Sequence, residues 1–125
     1  MFNKKLAIVG ASGAVGRVFI ELLDEIYPGT KDLFLVASKR SAGRSMFCGK
    51  QEFIIQDIEE FDFSQVEIAF FSAGAETAEK YAPIAVSKGC TVIDNSSQFR
   101  TDSDKPLIVP EVNSKDLENF KLPGI

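Results

Sequence analysis

The 125-residue sequence contains no histidine. A Ser-His-Asp triad, a Cys-His dyad and a histidine-ligated metal site are therefore excluded within this chain. Cysteine is nearly as scarce, because Cys48 and Cys90 are the only two, and they are too few and too far apart for a disulfide framework or a zinc site. We expect no catalytic residue and no metal site among these residues.

Long apolar runs and an excess of positive charge are missing as well. The apolar run over residues 6–9 is far too short to span a bilayer, so no membrane partner is expected. The 14 basic residues stand against 18 acidic ones, and the net charge of −4 argues against nucleic acid as the main partner. No signal peptide is recognisable, and a reducing, cytoplasmic location is the expectation.

What is present fits one soluble globular domain, with 45% hydrophobic and 26% charged residues. Apolar runs without alternation predict buried strands, and helical spacing between them predicts the connecting helices. The predicted strands cover residues 4–9, 33–37, 66–71, 91–94 and 107–109, and the predicted helices cover residues 18–23, 77–87 and 114–120, the last capped by Asn113. A small hairpin is expected to turn near Gly49. The pattern predicts a single-domain α/β fold, a Rossmann-like, doubly wound, mostly parallel sheet with helices on both faces.

Glycines follow the first predicted strand with the spacing Gly-x-x-Gly-x-x-Gly. Gly10 permits a tight turn, Gly13 lets the backbone approach a pyrophosphate, and Gly16 lets the helix pack close to the strand. Free N–H groups at the start of the helix would then bind the anion. The alternative is a merely tight strand-helix turn, but the strand before and the helix after favour dinucleotide binding.

The end of the second strand favours NADP over NAD. An NAD site needs Asp or Glu here to bind the ribose 2′-hydroxyl, whereas this sequence has Ser38, Lys39, Arg40 and Ser41. Two cations and two hydroxyls suit a 2′-phosphate, with arginine able to bind it through two parallel donors. The alternative is a solvated basic turn.

Two further loops carry small or polar residues at the same expected edge of the sheet. In the loop after the third strand, Gly74 would allow close backbone approach to the cofactor, while capping of the next helix by Ser72 or Thr77 is a compatible alternative. After the fourth strand, Arg100 suits an anionic substrate, the alternative being a surface salt bridge. Cys90 is predicted to pack in the core rather than act as a nucleophile.

Together these motifs resemble the amino-terminal domain of aspartate-semialdehyde dehydrogenase. The blocks that carry the resemblance run in family order and cover residues 9–16, 37–43, 71–74, 80–83, 94–100 and 109–113. The resemblance implies NADPH-dependent reductive dephosphorylation of aspartyl phosphate to aspartate semialdehyde, in lysine, methionine and threonine biosynthesis. It further implies which residues bind the ligands: Ser12, Gly13, Ala14 and Val15 the pyrophosphate, Ser38, Arg40 and Ser41 the 2′-phosphate, and Arg100 the substrate phosphate.

The family's nucleophile lies in an Asn-Cys segment soon after the region that matches residues 122–125, and its acid/base histidine belongs to a second domain. Neither is found in this sequence. We therefore expect residues 1–125 to form the NADP-binding Rossmann domain of a two-domain enzyme, itself a homodimer or homotetramer, and the isolated chain to be inactive. The alternatives are a fragment of an N-acetyl-glutamyl-phosphate reductase and a non-catalytic NADP-binding module.

Overall fold

The computed structural model describes residues 2–125. In chain order the elements are β1 (Leu6–Val9), α1 (Ala14–Ile26), β2 (Leu33–Ala37), β3 (Ser45–Cys48), β4 (Gln51–Ile54), β5 (Gln56–Asp57), β6 (Ile68–Phe71), α2 (Ala75–Ser87), β7 (Thr91–Asp94) and α3 (Pro110–Asn113). Two 3₁₀ turns cover Phe63–Gln65 and Ser114–Leu117.

Five strands form one sheet in the order β5-β2-β1-β6-β7, and every pairing within it is parallel. All four residues of β1 are buried, because β1 is the central strand and both faces of the sheet are covered. From β1 the chain first adds β2 on one side and later β6 on the other. The connections therefore diverge between β1 and β6, and a crevice opens at the carboxyl ends of those strands, where open α/β sheets bind ligands.

The two faces of the sheet have separate apolar cores. Ala7 and Val9 pack with the buried alanines of α2 on one face, whereas Leu6 and Ile8 pack with Ile20 and other α1 residues on the opposite face. This division follows from the alternation of side chains along a strand. The Rossmann-like, doubly wound fold predicted from the sequence is therefore confirmed.

The predicted strand over residues 107–109 is wrong. The fifth strand of the sheet is instead β5, which pairs with β2. Residues 107–109 lie between two prolines, which lack the N–H group that a ladder needs, and the Asn113 side chain bonds two of their backbone polar groups. Its Oδ1 accepts from the Val109 N–H at 2.7 Å, and its Nδ2 donates to the Leu107 carbonyl at 2.8 Å.

The helix predicted over residues 114–120 is a 3₁₀ turn of four residues, and the Asn113 side chain makes no capping hydrogen bond to it. That side chain is already engaged with residues 107 and 109. The predicted hairpin is confirmed, since β3 and β4 pair antiparallel and Gly49 between them has φ +61°. Within residues 2–125, no helix has the length and apolar character needed to cross a membrane.

Candidate functional site

The glycine-rich loop after β1 lies directly against the loop after β6. Gly10 has φ +87°, and a Cβ atom at this position would lie 2.7 Å from the Ser72 carbonyl oxygen and 2.8 Å from the Ser72 carbonyl carbon. Both the positive φ and the contact require glycine. The loop also caps the adjacent strand, because the Gly10 N–H donates to the Val36 carbonyl at 2.8 Å. The loops after β1 and β6 therefore form one continuous surface at the carboxyl edge of the sheet.

The amino terminus of α1 is free to bind an anion. Its N-cap residue is Gly13, no side chain caps the helix, and its first turn holds no acidic residue. Gly13, Ala14 and Val15 are exposed; the Gly13 N–H donates to the Gly10 carbonyl at 3.0 Å, whereas the N–H groups of Ala14 and Val15 have no hydrogen-bond partner among residues 2–125. Gly16 packs so closely that a Cβ atom there would overlap the Gly10 carbonyl oxygen. These features match a pyrophosphate site made of backbone donors and a helix dipole.

The residues predicted to bind the 2′-phosphate lie beside this loop. The Ser12 hydroxyl donates to Ser41 Oγ at 3.0 Å, which joins the glycine-rich loop to the turn after β2. That turn is closed by a hydrogen bond from the Ser41 N–H to the Ser38 carbonyl at 2.9 Å. Ser38 and Arg40 are exposed, and the Arg40 guanidinium forms no ion pair with any residue of the described chain, 2–125. The Ser12 and Ser41 hydroxyls thus meet at one place, and Ser38 and Arg40 lie on the same turn as Ser41.

The loop after β6 contributes main-chain groups to the candidate site, and its side chains do not cap α2. The Ser72 hydroxyl donates to the Val9 carbonyl at 3.2 Å, and no side chain caps α2, whose N-cap residue is Gly74. Capping by Ser72 or Thr77 is therefore not what the structure has. Because Glu76 lies in the first turn of α2, its negative charge makes this helix end less suited to an anion than the start of α1.

Arg100 is held at the end of β7 by a small polar turn. Its Nε donates to the Ser96 carbonyl at 3.2 Å and one terminal nitrogen donates to the Asn95 carbonyl at 3.3 Å. Ser96 is in turn fixed by Asp94, whose carboxylate accepts from the Ser96 hydroxyl at 2.6 Å. Among residues 2–125, Arg100 pairs with no carboxylate, so the alternative of a surface salt bridge is not seen.

The Arg100 side chain lines an open, largely apolar cavity of about 610 Å³ between β7 and the carboxyl-terminal segment. Lys105 lines it too, but its ammonium group pairs with Asp102 at 3.3 Å and Asp104 at 3.4 Å and lies 5.3 Å from the centre of the Phe99 ring. Lys105 thus pairs with both Asp102 and Asp104, and the guanidinium of Arg100 pairs with neither of them and remains available for an anion.

Neither cysteine lies in this crevice or has the properties of a nucleophile. Burial raises the pKa of the Cys90 thiol to about 11. Burial also raises the pKa of the Cys48 thiol, with a further contribution from the negative charge of Asp24. Since the thiolate is the reactive form, both thiols are unreactive at neutral pH, in agreement with the packing role predicted for Cys90.

One residue of the site has no place in the motifs. The Nε of Arg17, on α1, donates to the Ser12 carbonyl at 3.0 Å. The glycine pattern ends at residue 16 and contains no position for a cation. A basic residue one turn into the helix, able to reach back to the loop, is the signal that sequence reasoning missed.

Comparison with known families gives a match over almost the whole chain. The model of the family described as semialdehyde dehydrogenase, NAD binding domain, matches residues 5–120. The chain is 51% identical over 117 residues to aspartate-semialdehyde dehydrogenase of Shewanella violacea, covering 93% of this chain and 34% of that protein. It is 43% identical over 122 residues to the protein of the same name from Aquifex aeolicus, covering 97% and 36% of the two chains.

The solved structures that the chain resembles include aspartate-semialdehyde dehydrogenases as well. The aspartate semialdehyde dehydrogenase II of Vibrio cholerae superposes with a TM-score of 0.89 at 48% identity, over 95% of this chain and 36% of that one. The Candida albicans enzyme, solved with NADP, superposes with a TM-score of 0.77 at 28% identity, over 92% and 36%. The chain therefore spans about a third of the length of the relatives it matches.

Proposed function

The chain belongs to the semialdehyde dehydrogenase family, as its NAD-binding domain, and on that premise we propose that it is the NADP-binding domain of an aspartate-semialdehyde dehydrogenase. The whole enzyme would catalyse the NADPH-dependent reductive dephosphorylation of aspartyl phosphate to aspartate semialdehyde, a step of lysine, methionine and threonine biosynthesis. This reaction is supported by the names of relatives at 51% and 43% identity. The domain would act in the cytoplasm, where both of its buried thiols stay reduced.

The observation that carries the proposal is the junction between the two loops at the carboxyl edge. The uncapped start of α1 suits a pyrophosphate, and the hydrogen bond between Ser12 and Ser41 brings the turn after β2 against it. An ADP-ribose moiety lying across β1 and β2 would place its diphosphate on the first loop and its 2′-phosphate on the second. Because Arg40 replaces the acidic residue of an NAD site, a 2′-phosphate is favoured over a 2′-hydroxyl.

Each residue of the site would then have a defined task. Backbone N–H groups of residues 12–15 bind the pyrophosphate, and Arg40 binds the 2′-phosphate with Ser38 and Ser41 as hydroxyl donors. Gly74 leaves the space beside the loop after β6 open, since a Cβ atom there would meet no heavy atom within 4 Å. When bound, the nicotinamide cofactor supplies hydride transfer, which no side chain can perform.

The substrate group that this chain recognises is an anion. Among residues 2–125 the Arg100 guanidinium pairs with no carboxylate, it lines the cavity, and Asp94, Ser96 and the Asn95 carbonyl fix its direction. Such a rigid planar donor is suited to the phosphate of an acyl phosphate. The nucleophile and the acid/base group would come from outside these 125 residues.

A titration followed by backbone NMR tests where the cofactor binds. On addition of NADP, we expect the amide signals of residues 10–16, 38–41 and 74 to shift, because these groups line the proposed site. Signals of the hairpin turn at Gly49 and Lys50, on a separate two-stranded sheet, serve as an internal control and should stay in place. Shifts confined to the hairpin, or none at saturating NADP, would refute the proposed site.

The isolated chain is expected to bind cofactor without turning over. With aspartate semialdehyde, phosphate and NADP together, NADPH formation should equal that of a buffer control, since the chain holds no exposed cysteine and no histidine. The measurement is absorbance of NADPH over time at high protein concentration. A rate that scales with the amount of chain would contradict the assignment of the chemistry to residues outside it.

A further inference from the structure

Ser12 is held from two sides. Its carbonyl oxygen accepts from Arg17 Nε at 3.0 Å, and its hydroxyl donates to Ser41 Oγ at 3.0 Å. The first contact ties the loop to its own helix, and the second ties it to the turn after β2. Ser12 is therefore the point through which the start of α1 and the turn after β2 are mechanically connected.

The segment around Ser12 needs such a tie. Ser12 is followed by Gly13 and lies two residues after Gly10, and glycine gives the main chain more conformational freedom than any other residue. Within the turn, the Gly13 N–H donates to the Gly10 carbonyl at 3.0 Å, which closes the loop but does not involve the Ser12 peptide carbonyl. That carbonyl is held by Arg17, which restrains the main chain at Ser12 and with it the position from which the Ser12 side chain extends.

The hydroxyl pair that results is suited to a charged acceptor. Two serine hydroxyls carry two hydrogens, and their mutual hydrogen bond uses one of them. The second hydrogen is free to donate to a ligand. A phosphate oxygen accepts it about twice as strongly as a neutral hydroxyl does, because the hydrogen bond is charge-assisted.

We propose that Arg17 is a positioning residue for selectivity toward 2′-phosphorylated nucleotides, holding the Ser12 main chain so that the Ser12 hydroxyl pairs with Ser41. Arg17 acts through Ser12 and does not itself bind the phosphate. The inference rests on the proposed function, since it concerns the same site.

The test compares two nucleotides that differ by one phosphate. Affinities of the chain for 2′,5′-ADP and for 5′-AMP are measured by calorimetry, before and after Arg17→Met, which removes the donor and keeps an unbranched side chain. We expect the variant to bind 2′,5′-ADP about fivefold more weakly, the effect of one hydrogen bond, while 5′-AMP binding changes less than about twofold. Lys31→Met, which removes the same charge before β2 at the opposite end of the sheet, should leave both affinities unchanged.

A double-mutant cycle separates positioning from simple charge. Ser12→Ala alone should weaken 2′,5′-ADP binding about fivefold, at least as much as Arg17→Met alone, and Arg17→Met in that background should add less than about 1.5-fold, because the hydroxyl it positions is gone. Circular dichroism and thermal unfolding confirm that each variant is folded. Any of four outcomes would overturn the inference. In the first two, Arg17→Met lowers the affinity equally in both backgrounds, or equally for both nucleotides. In the other two, either single variant leaves the 2′,5′-ADP affinity unchanged, or Lys31→Met lowers it as much as Arg17→Met does.

Different results would refute the proposed function and the role of Arg17. If the unmodified chain binds 2′,5′-ADP no more tightly than 5′-AMP, the 2′-phosphate site itself is refuted, and the role of Arg17 with it. If the unmodified chain shows the preference and Arg17→Met leaves it intact, only the role of Arg17 is refuted.

Discussion

Gly10→Ala is expected to lower the free energy of unfolding by about 2–5 kcal/mol, the sum of a strained positive φ and an overpacked contact. The φ of +87° is unfavourable for alanine, and its Cβ atom would lie 2.7 Å from the Ser72 carbonyl oxygen. Gly10 and Ser72 directly follow the paired strands β1 and β6, and the contact involves the main chain of Ser72. Neither residue can therefore move aside without disturbing the sheet. A stability of about 5–15 kcal/mol is usual for a domain, so the loss should be plain in urea unfolding.

Gly89→Ala is the matched control for this prediction. Gly89 has φ +89°, nearly the same backbone conformation, but a Cβ atom there would meet no heavy atom within 4 Å. The control should therefore cost only the backbone strain, about 1–2 kcal/mol. If both substitutions destabilise the chain equally, the close approach of the loops after β1 and β6 is not a feature of the molecule in solution.

Arg40→Ala is expected to weaken NADP binding about 10- to 100-fold, the effect of losing hydrogen bonds to a charged group. NAD lacks the 2′-phosphate, so its affinity should change less than about twofold. Arg40 is exposed and forms no ion pair among residues 2–125, which means that its removal leaves no unpaired carboxylate in the apo chain. Calorimetric titration of both dinucleotides gives the two ratios directly.

Arg44→Ala is the control for general electrostatic attraction. Arg44 is also an exposed arginine; its carbonyl accepts from the Ile55 N–H, and its N–H donates to the Ser41 carbonyl at 3.3 Å, so it is a nearby charge that is not proposed to contact the phosphate. Its loss should weaken NADP binding less than about threefold, since a solvated charge acts weakly over distance. A loss as large as that of Arg40→Ala would mean that overall positive charge, and not a specific contact, determines the preference.

The sequence predicted the parts of the fold that burial determines. β1 and β2 are recognisable because a strand covered on both faces must be apolar along its length. β6 and the edge strand β7 also have apolar residues, although Ile93 of β7 is exposed. β5 was missed because it has two polar residues, Gln56 and Asp57, at the edge of the sheet, where no apolar pattern is needed. Residues 107–109 have the composition of a strand, but no neighbouring strand pairs with them. Composition cannot reveal that the Asn113 side chain bonds the Val109 N–H and the Leu107 carbonyl instead.

The residues of the candidate site differ in how far the sequence indicates them, and their ligand-binding roles stay predictions. Gly10, Gly16 and Arg40 belong to local patterns whose physical reasons can be read one loop at a time. The contact of Ser12 with Ser41 joins loops 29 positions apart and follows from the parallel register of β1 with β2, which pairs Val9 with Val36. Arg17 binds a main-chain carbonyl, and because every residue offers one, the position of Arg17 one turn into the helix does not by itself identify its partner.

We propose that the edge between the loops after β1 and β2 binds a dinucleotide through its 2′-phosphate. The most direct test is a calorimetric titration of the unmodified chain with NADP and with NAD at the same ionic strength. The structure predicts one binding site, with NADP bound at least about tenfold more tightly than NAD, as one charged contact requires. Equal affinities for the two dinucleotides, or no binding of either, would contradict it.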